Sequence, residues 1–301
     1  MTPSLYDSRL EAYQRQIEES LDTYRLRAGK SVPPELNRAM HYACEAGGKR
    51  IRPVLAMEFC RLCGGAPPNA LPFAWALEMI HSYSLAHDDL PCMDNSPMRR
   101  GRPSAHVSFG ESLALLAGDG LLTLAFEILA DPSNTGISPR CALQAVYVLA
   151  RAAGDGGMVG GQVIDLQSEG KRISLDTLER LQEGKTAALL RASCVLGCLA
   201  ANEEPDSVKV RAADAFGKGI GLSFQIVDDI LDVISTAEAL GKPVGTDEEN
   251  SKATYVSLMG IDQARRMART RTDQAVEALS VFGDEAESLR RLAKNLLIRQ
   301  K

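Results

Sequence analysis

Two short acidic segments carry the residue types of this sequence that are best suited to chemistry. Their six carboxylates are Asp88, Asp89 and Asp94 in the first segment and Asp228, Asp229 and Asp232 in the second. Leu, Ile and Val surround both segments, and carboxylates grouped in such surroundings repel one another and lose hydration unless a cation neutralises them. Ligand sets made only of oxygen favour Mg²⁺, which binds one or two carboxylates together with substrate phosphates. The segments therefore predict Mg²⁺ sites, in which Mn²⁺ can substitute; a solvated helix face is the alternative for either segment alone.

The spacing of the aspartates predicts how each segment is arranged. On a regular helix the six-residue step from Asp88 to Asp94 turns about 240° and separates the two carboxylates. Pro91 lies between them, removes a backbone donor and crowds the preceding turn, so we expect the helix to be distorted or to end there and Asp94 to return towards Asp88. In the second segment Asp228 and Asp232 are four residues apart and share one helix face.

Basic residues that could hold a polyphosphate occur in several loops. Residues 47–53 read GGKRIRP, a glycine turn that leads into a helix N-terminus, where free N–H groups and the helix dipole favour an anion. Arg99 and Arg100 follow the first acidic segment and offer forked donors for phosphate oxygens. Further candidates are Lys185 with Thr186, Lys242 and Lys252. Taken alone, each of these residues is more often a solvated surface charge than a phosphate ligand.

Composition and charge exclude several classes of protein. The 301 residues carry 34 Lys and Arg against 39 Asp and Glu, a net charge of −5, with no basic tail that could displace phosphate counterions from a nucleic acid. The longest uncharged stretch, residues 62–77, contains three prolines and predicts no membrane span. The N-terminus has no apolar signal region, so we expect a cytoplasmic protein. Seven cysteines without an export signal favour reduced, mostly buried thiols rather than disulfides or a zinc site.

The elements that must position these residues are helices. Apolar residues recur every three or four positions through most of the chain, and no alternating β-branched runs occur, which predicts an all-α fold. Helices are expected to begin near Ser31 and near Arg52, and Gly64 with Gly65 should end the second of them. Further helices are predicted over residues 70–90, 112–130, 140–152, 156–168, 174–202, 206–234, 250–277 and 285–299. The breaks between them are too short for interdomain linkers, which favours one domain over residues 1–301.

Five segments together resemble the short-chain trans-isoprenyl diphosphate synthases, and most of all the bacterial farnesyl diphosphate synthases. In chain order they are GGKRIRP (47–53), HDDLPCMDNSPMRRG (87–101), GMVGGQVIDL (157–166), the pair Lys185-Thr186, and FQIVDDILDV (224–233). The resemblance runs from about residue 30 to the C-terminus. It implies an isoprenoid synthase bundle of α-helices around a deep central cavity, assembled as a homodimer.

The resemblance also implies a role for each candidate residue. Asp88, Asp94 and Asp228 would bind the Mg²⁺ ions that hold an allylic diphosphate, with Asp89, Asp229 and Asp232 supporting them. Arg99, Lys185 and Lys242 would contact the same diphosphate, with Lys252 close by. Gly48, Lys49, Arg52, His81 and Arg100 would bind the diphosphate of isopentenyl diphosphate. Gln225 and the Lys185-Thr186 backbone would face the developing carbocation.

The implied reaction joins isopentenyl diphosphate to dimethylallyl or geranyl diphosphate and gives a C15 product. Tyr83, with Ser84 beside it, lies just before Asp88 and would close the floor of the product cavity. A geranylgeranyl or geranyl diphosphate synthase of the same fold is the first alternative. A terpene cyclase, a non-catalytic partner subunit and a cation-binding helical protein without catalysis are the others.

Overall fold

The computed structural model describes residues 5–25, 32–45, 47–131, 133, 136–240 and 253–299, without the side chains of residues 21–25 and 235–240. In this part of the chain the α-helices are α1 (Ser8–Arg25), α2 (Pro34–Cys44), α3 (Ile51–Leu62), α4 (Leu71–Asp88), α5 (Ala105–Phe109), α6 (Glu111–Ala130), α7 (Pro139–Ala153), α8 (Met158–Ser168), α9 (Leu175–Gln182), α10 (Ala188–Ala200), α11 (Val208–Leu240), α12 (Tyr255–Met259), α13 (Ile261–Ala278) and α14 (Glu287–Ile298). Two 3₁₀ segments (Pro67–Ala70 and Leu279–Ala286), a π-helical segment (Glu183–Ala187) and two short strands, β1 (Met98–Arg99) and β2 (Arg102–Pro103), complete it. The all-α prediction is confirmed.

Most predicted helices are present, and the differences have local causes. The helical stretch predicted over 174–202 is present from 175 to 200, with the π-helical segment between α9 and α10 as its one irregularity. The prediction over 250–277 was wrong within the described residues, since Gly260 adopts φ +78° and separates α12 from α13. The helices α1 and α5 were not predicted. Ser31 lies outside the described residues, and Pro33 occupies the N-cap of α2.

The chain divides into two compact units. One comprises Leu10–Val146 and Leu196–Glu203, and the other comprises Met1–Arg9, Tyr147–Val195 and Glu204–Lys301. A single domain over residues 1–301 stays a prediction.

The unit containing residues 10–146 is organised around α4. Along this helix Trp75, Leu77 and Ile80 are fully buried, and buried residues occur on every side of it. A helix that is apolar all round belongs inside a fold, and α4 packs against α2, α3 and α6. The last turn of this buried helix carries Asp88, so the packing of α4 determines where the first acidic segment begins.

The other unit holds the second acidic segment on its longest helix. α11 packs against α13 and the π-helical segment, and Ile226, Val227 and Ile230 bury their side chains in a cluster with Tyr255 and Ala268. Aspartates therefore alternate with core residues along one turn of α11.

Membrane and cysteine predictions can be compared with the described residues. α6 is the one helix among them that is long and apolar enough to cross a membrane by length and composition, with 39% of its most apolar window buried. Core helices pass the same test, and α6 packs against α4, so it is not a clear membrane span. All seven cysteines are free, and five of them are buried, as the sequence predicted.

Candidate active site

The first acidic segment reverses direction immediately after α4. The helix ends at Asp88, and the backbone N–H of Asp94 donates a hydrogen bond to the carbonyl oxygen of Asp88 at 2.8 Å. Asn95, at φ +47°, donates to the carbonyl of Leu90 at 3.1 Å and completes the turn. The predicted return of Asp94 towards Asp88 is therefore confirmed. Asp88 is partly exposed and Asp94 is exposed.

Asp89 differs from both neighbours in the segment because it is buried and forms an ion pair. The Arg99 guanidinium donates to its carboxylate through Nη2 and, at 3.0 Å, through Nε. This hydrogen bond raises the pKa of Arg99 and outweighs its desolvation. In this structure Arg99 therefore binds a carboxylate of the first acidic segment.

Arg99 and Arg100 lie on a hairpin with a two-residue loop, and their side chains contact different parts of the chain. β1 pairs antiparallel with β2, and the turn between them consists of Arg100 at φ +50° and Gly101 at φ +77°. Two positive φ values in a two-residue loop are typical of a type I′ turn, whose twist matches that of the flanking strands. Sequence periodicity did not reveal this hairpin, because each strand is only two residues long.

Arg100 lies against the glycine loop that precedes α3. Its guanidinium donates to the carbonyl oxygen of Gly47 and lies 3.5 Å from His81 Nε2. Gly48 has φ +130°, and a Cβ atom added there would be 2.6 Å from Arg100 Nη1. The positive φ therefore favours glycine at position 48, and the guanidinium of Arg100 lies directly against it. Lys49 follows and is exposed.

Arg52, Arg100 and His81 form a basic group whose electrostatics favour a bound anion. Burial lowers the pKa of Arg52 and of Arg100; the charge of Arg100 lowers the pKa of Arg52 further, and the charges of Arg50 and Arg99 lower that of Arg100. Burial, followed by Arg52 and Arg100, holds the pKa of His81 well below its ordinary value. The Nε of Arg52 is buried and has no hydrogen-bond partner in the described part of the chain. A diphosphate would relieve the repulsion and accept the unpaired N–H.

The second acidic segment repeats the pattern of one buried and one accessible carboxylate. Asp229 is buried, accepts a hydrogen bond from the backbone N–H of Tyr255 at 2.8 Å and lies 3.3 Å from Gln225 Nε2. Burial raises the pKa of Asp229 to about 6, although both hydrogen bonds lower it. Asp228 is partly exposed and forms an ion pair with Arg299 at 2.5 Å, and Asp232 is exposed.

The Lys185-Thr186 pair lies in the π-helical segment, against α8. Lys185 Nζ donates to Asp165 at 2.6 Å, and Thr186 Oγ1 donates to Gln225 Oε1 at 3.3 Å. A Cβ atom added to Gly161 would be 2.2 Å from the backbone nitrogen of Lys185. The structure therefore brings together Lys185, Thr186 and Gln225, which the resemblance had grouped, and explains the glycine at position 161.

The donor set suits Mg²⁺. Among the described residues, no three His, Cys, Asp or Glu side chains form a complete metal cluster. Mg²⁺ ordinarily binds through one or two carboxylates and completes its shell with water and substrate phosphates. Asp88 with Asp94, and Asp228 with Asp232, would supply such incomplete, all-oxygen sets.

The remaining candidate residues have mixed outcomes. Lys242 and Lys252 lie outside the described residues. Tyr83 is buried with its ring 5.6 Å from that of His87, and Ser84 Oγ donates to the carbonyl of His81 at 2.8 Å. Sequence reasoning did not single out Asp165 or Arg299; Asp165 stands inside the quoted segment GMVGGQVIDL, whereas nothing in the sequence marked Arg299.

The family profile described as Polyprenyl synthetase matches residues 33–292 and so includes every described site residue except Arg299. The chain belongs to the polyprenyl synthetase family. Its activity is therefore that of a short-chain prenyl diphosphate synthase, a prenyltransferase, and its fold is the all-α isoprenoid synthase fold. Prenyl diphosphates are the substrate class that the family implies, and Mg²⁺ is the metal that its members generally use.

Individual relatives in this polyprenyl synthetase family differ in the product that they are named for. A farnesyl diphosphate synthase from Geobacillus stearothermophilus is 45% identical over 85% of this chain and 85% of its own. The large subunit 1 of a heterodimeric chloroplast geranylgeranyl pyrophosphate synthase from Arabidopsis thaliana is also 45% identical, over 89% of this chain and 73% of its own. A solved apo structure of an FPP/GFPP synthase from Zymomonas mobilis matches with a TM-score of 0.83 and 37% identity, over 96% and 99% of the two chains.

Proposed function

We propose that this polyprenyl synthetase is a farnesyl diphosphate synthase, which condenses isopentenyl diphosphate with dimethylallyl and then geranyl diphosphate. The observation that carries the proposal is Tyr83, buried on α4 five residues before Asp88, where a ring would limit the growing chain. A short product requires such an obstacle, because the tail lengthens by five carbons in each cycle.

The side chains of the basic group would bind the diphosphate of isopentenyl diphosphate. Arg52 offers a buried, unpaired Nε–H, Arg100 offers a forked guanidinium, and His81 lies beside them. Since the low pKa keeps His81 neutral, it can share a hydrogen bond with the diphosphate without adding to the local repulsion. Lys49 is exposed at the edge of the same loop and can approach from solvent.

The acidic segments and Lys185 would bind the allylic diphosphate. When bound, Mg²⁺ neutralises negative charge that builds on the departing diphosphate. Asp88, Asp94 and Asp228 would hold the metal, while Arg99 and Lys185 would contribute positive charge to the same anion. Thr186 and Gln225 present oxygen atoms, which would stabilise the positive charge on the allylic carbon after ionisation. The double bond of isopentenyl diphosphate then attacks that carbon, and loss of a proton gives the longer product.

Product analysis tests this proposal. We expect purified protein, incubated with isopentenyl diphosphate, dimethylallyl or geranyl diphosphate and Mg²⁺, to give mainly C15 alcohol after dephosphorylation and chromatography. A C20 or C10 product would replace the proposal with a geranylgeranyl or geranyl diphosphate synthase. Absence of any elongated product with Mg²⁺ present would contradict prenyltransfer by this chain.

A further inference from the structure

A buried ion pair connects the glycine loop to α4. Arg50 Nη1 lies 2.5 Å from Glu78 Oε1, and the side chains are 1% and 4% exposed. Neither residue belongs to the groups assigned above to substrates. Removing two charges from water costs free energy, which a buried ion pair recovers only with good geometry and further hydrogen bonds. The presence of this pair at the glycine loop therefore calls for an explanation other than stability alone.

The Arg50 guanidinium joins three helices to the loop. Besides Glu78 on α4, its Nε donates to Glu18 of α1 at 2.7 Å, and its Nη2 donates to the carbonyl of Cys44 at the end of α2 at 3.0 Å. Only a planar fork with several N–H groups can make these contacts at once. Burial alone would lower the pKa of Arg50, but Glu78 and Glu18 outweigh it, so the group stays charged.

The backbone at Arg50 is held in an unusual conformation. Arg50 has φ +50° and ψ +37°, in the left-handed region, and caps the N-terminus of α3. Residues other than glycine keep such angles only where surrounding contacts determine them. Lys49 precedes Arg50 and Arg52 follows it by two, so the angles at Arg50 set the directions in which both of these side chains leave the loop.

Glu78 also interacts electrostatically with the basic group. It is one helical turn before His81 on α4, and its negative charge acts on both Arg52 and Arg100. Burial and the charges of neighbouring arginines oppose the charged forms of those two guanidinium groups, whereas Glu78 favours them.

We infer that Arg50 and Glu78 form a positioning pair for isopentenyl diphosphate: without touching the substrate, they hold the loop so that Lys49 and Arg52 converge on its diphosphate. The inference rests on the proposed function and names a further determinant of the same site. The pair acts through geometry, so a charge alone at position 50 does not replace it.

The variant Arg50→Lys tests this inference, because it keeps the charge and removes the fork. Displaced binding groups lose affinity steeply with distance, so we expect the KM for isopentenyl diphosphate to rise about tenfold or more. The KM for geranyl diphosphate and kcat should stay within about twofold of wild type. Glu78→Gln should give the same split, and the double variant should be no worse than the more impaired single variant, since both act on one unit.

Arg61→Lys is the matched control, because Arg61 forms a similar pair with the buried Glu58 at the far end of α3. It should leave both KM values near those of wild type. Calorimetric titration with isopentenyl diphosphate should reproduce the loss of affinity without turnover. An Arg50→Lys enzyme with an unchanged KM for isopentenyl diphosphate, or with both KM values raised equally, would overturn the inference. Failure of the proposed function would differ from either result, since wild type would then give a C10 or C20 product, or no elongated product at all.

Discussion

At the scale of single residues, each of the two Asp-Asp pairs has one buried and one more exposed carboxylate. Asp89 and Asp229 are buried and bound by donors of the protein itself, namely Arg99 in the first segment and the Tyr255 N–H with Gln225 in the second. Asp88 and Asp228 are more exposed, although Asp228 also forms an ion pair with Arg299. The sequence alone could not separate the members of each pair, because adjacent aspartates are chemically identical and only tertiary contacts distinguish them. We therefore expect the first aspartate of each pair to dominate metal binding.

Neutralising that first aspartate should remove catalysis without unfolding the protein. In Asp88→Asn and Asp228→Asn, one carboxylate ligand is lost at a partly exposed position, and kcat should fall by about 10²-fold or more because transition-state charge is less well stabilised. Steady-state kinetics at saturating substrate, with circular dichroism to confirm folding, would measure this. Near-native kcat in both variants would contradict the metal assignment.

Tyr83 should limit product length through its ring. Tyr83→Ala removes a buried ring from α4, and the product should lengthen beyond C15 because the tail can extend into the vacated volume. Tyr83→Phe is the matched control and should keep the C15 product, since it retains the ring. Chromatography of the dephosphorylated products distinguishes the two, and a Tyr83→Ala enzyme that still stops at C15 would remove Tyr83 from chain-length control.

At the scale of elements, the site depends on two irregular features within a helical protein. The π-helical segment carries Lys185 and Thr186, and the hairpin between β1 and β2 carries Arg99 and Arg100. π-helical turns inside α-helices occur frequently at functional sites. Gly161 brings the backbone of α8 against this segment, in a contact that leaves no room for a side chain.

A side chain at position 161 should displace Lys185. Gly161→Ala places a methyl group against the backbone of residues 184 and 185, so we expect a loss of about 1–3 kcal/mol in the free energy of unfolding. Since Lys185 would move away from Asp165, turnover should also fall by more than about tenfold. Urea denaturation and steady-state kinetics measure the two effects. Gly156→Ala is the control, because a Cβ atom there would meet nothing closer than 4.0 Å; equal behaviour of the two variants would disprove the packing argument.

Helical periodicity and start signals were sufficient to predict the fold class and most helices, together with the turn at Pro91. Those predictions rest on local chemistry, such as a missing backbone donor or an apolar spacing of three and four. The π-helical segment and the pairs Arg99–Asp89 and Lys185–Asp165 could not be predicted in that way. The two pairs join residues 10 and 20 apart in sequence, and the π-helical segment contacts residues still more distant, such as Gly161 and Gln225, so the sequence spacing does not contain their geometry.

At the scale of the whole molecule, α7 has two apolar faces. Cys141, Ala145 and Leu149 are buried on one face, while Leu143 and Tyr147, four residues apart, are exposed on another by 71% and 58%. On α6 Leu115 and Leu116 are likewise exposed. Exposed apolar side chains grouped at helical spacing are typical of surfaces that another protein covers. The homodimer that the resemblance implies would give these residues a partner, and that homodimer and a cytoplasmic location both stay predictions.

A charge on the exposed face of α7 should therefore dissociate the dimer. We expect wild type to have twice the 32.5 kDa mass of one chain in light scattering coupled to size-exclusion chromatography, and Leu143→Glu to shift towards 32.5 kDa. The glutamate would have to be buried without a partner in the dimer, while in the monomer it stays in water. Val208→Glu is the matched control, because Val208 is 55% exposed at the start of α11 and a charge there should leave the mass unchanged. A wild-type protein that is monomeric, or a dimer unaffected by Leu143→Glu, would show that this face is not the interface.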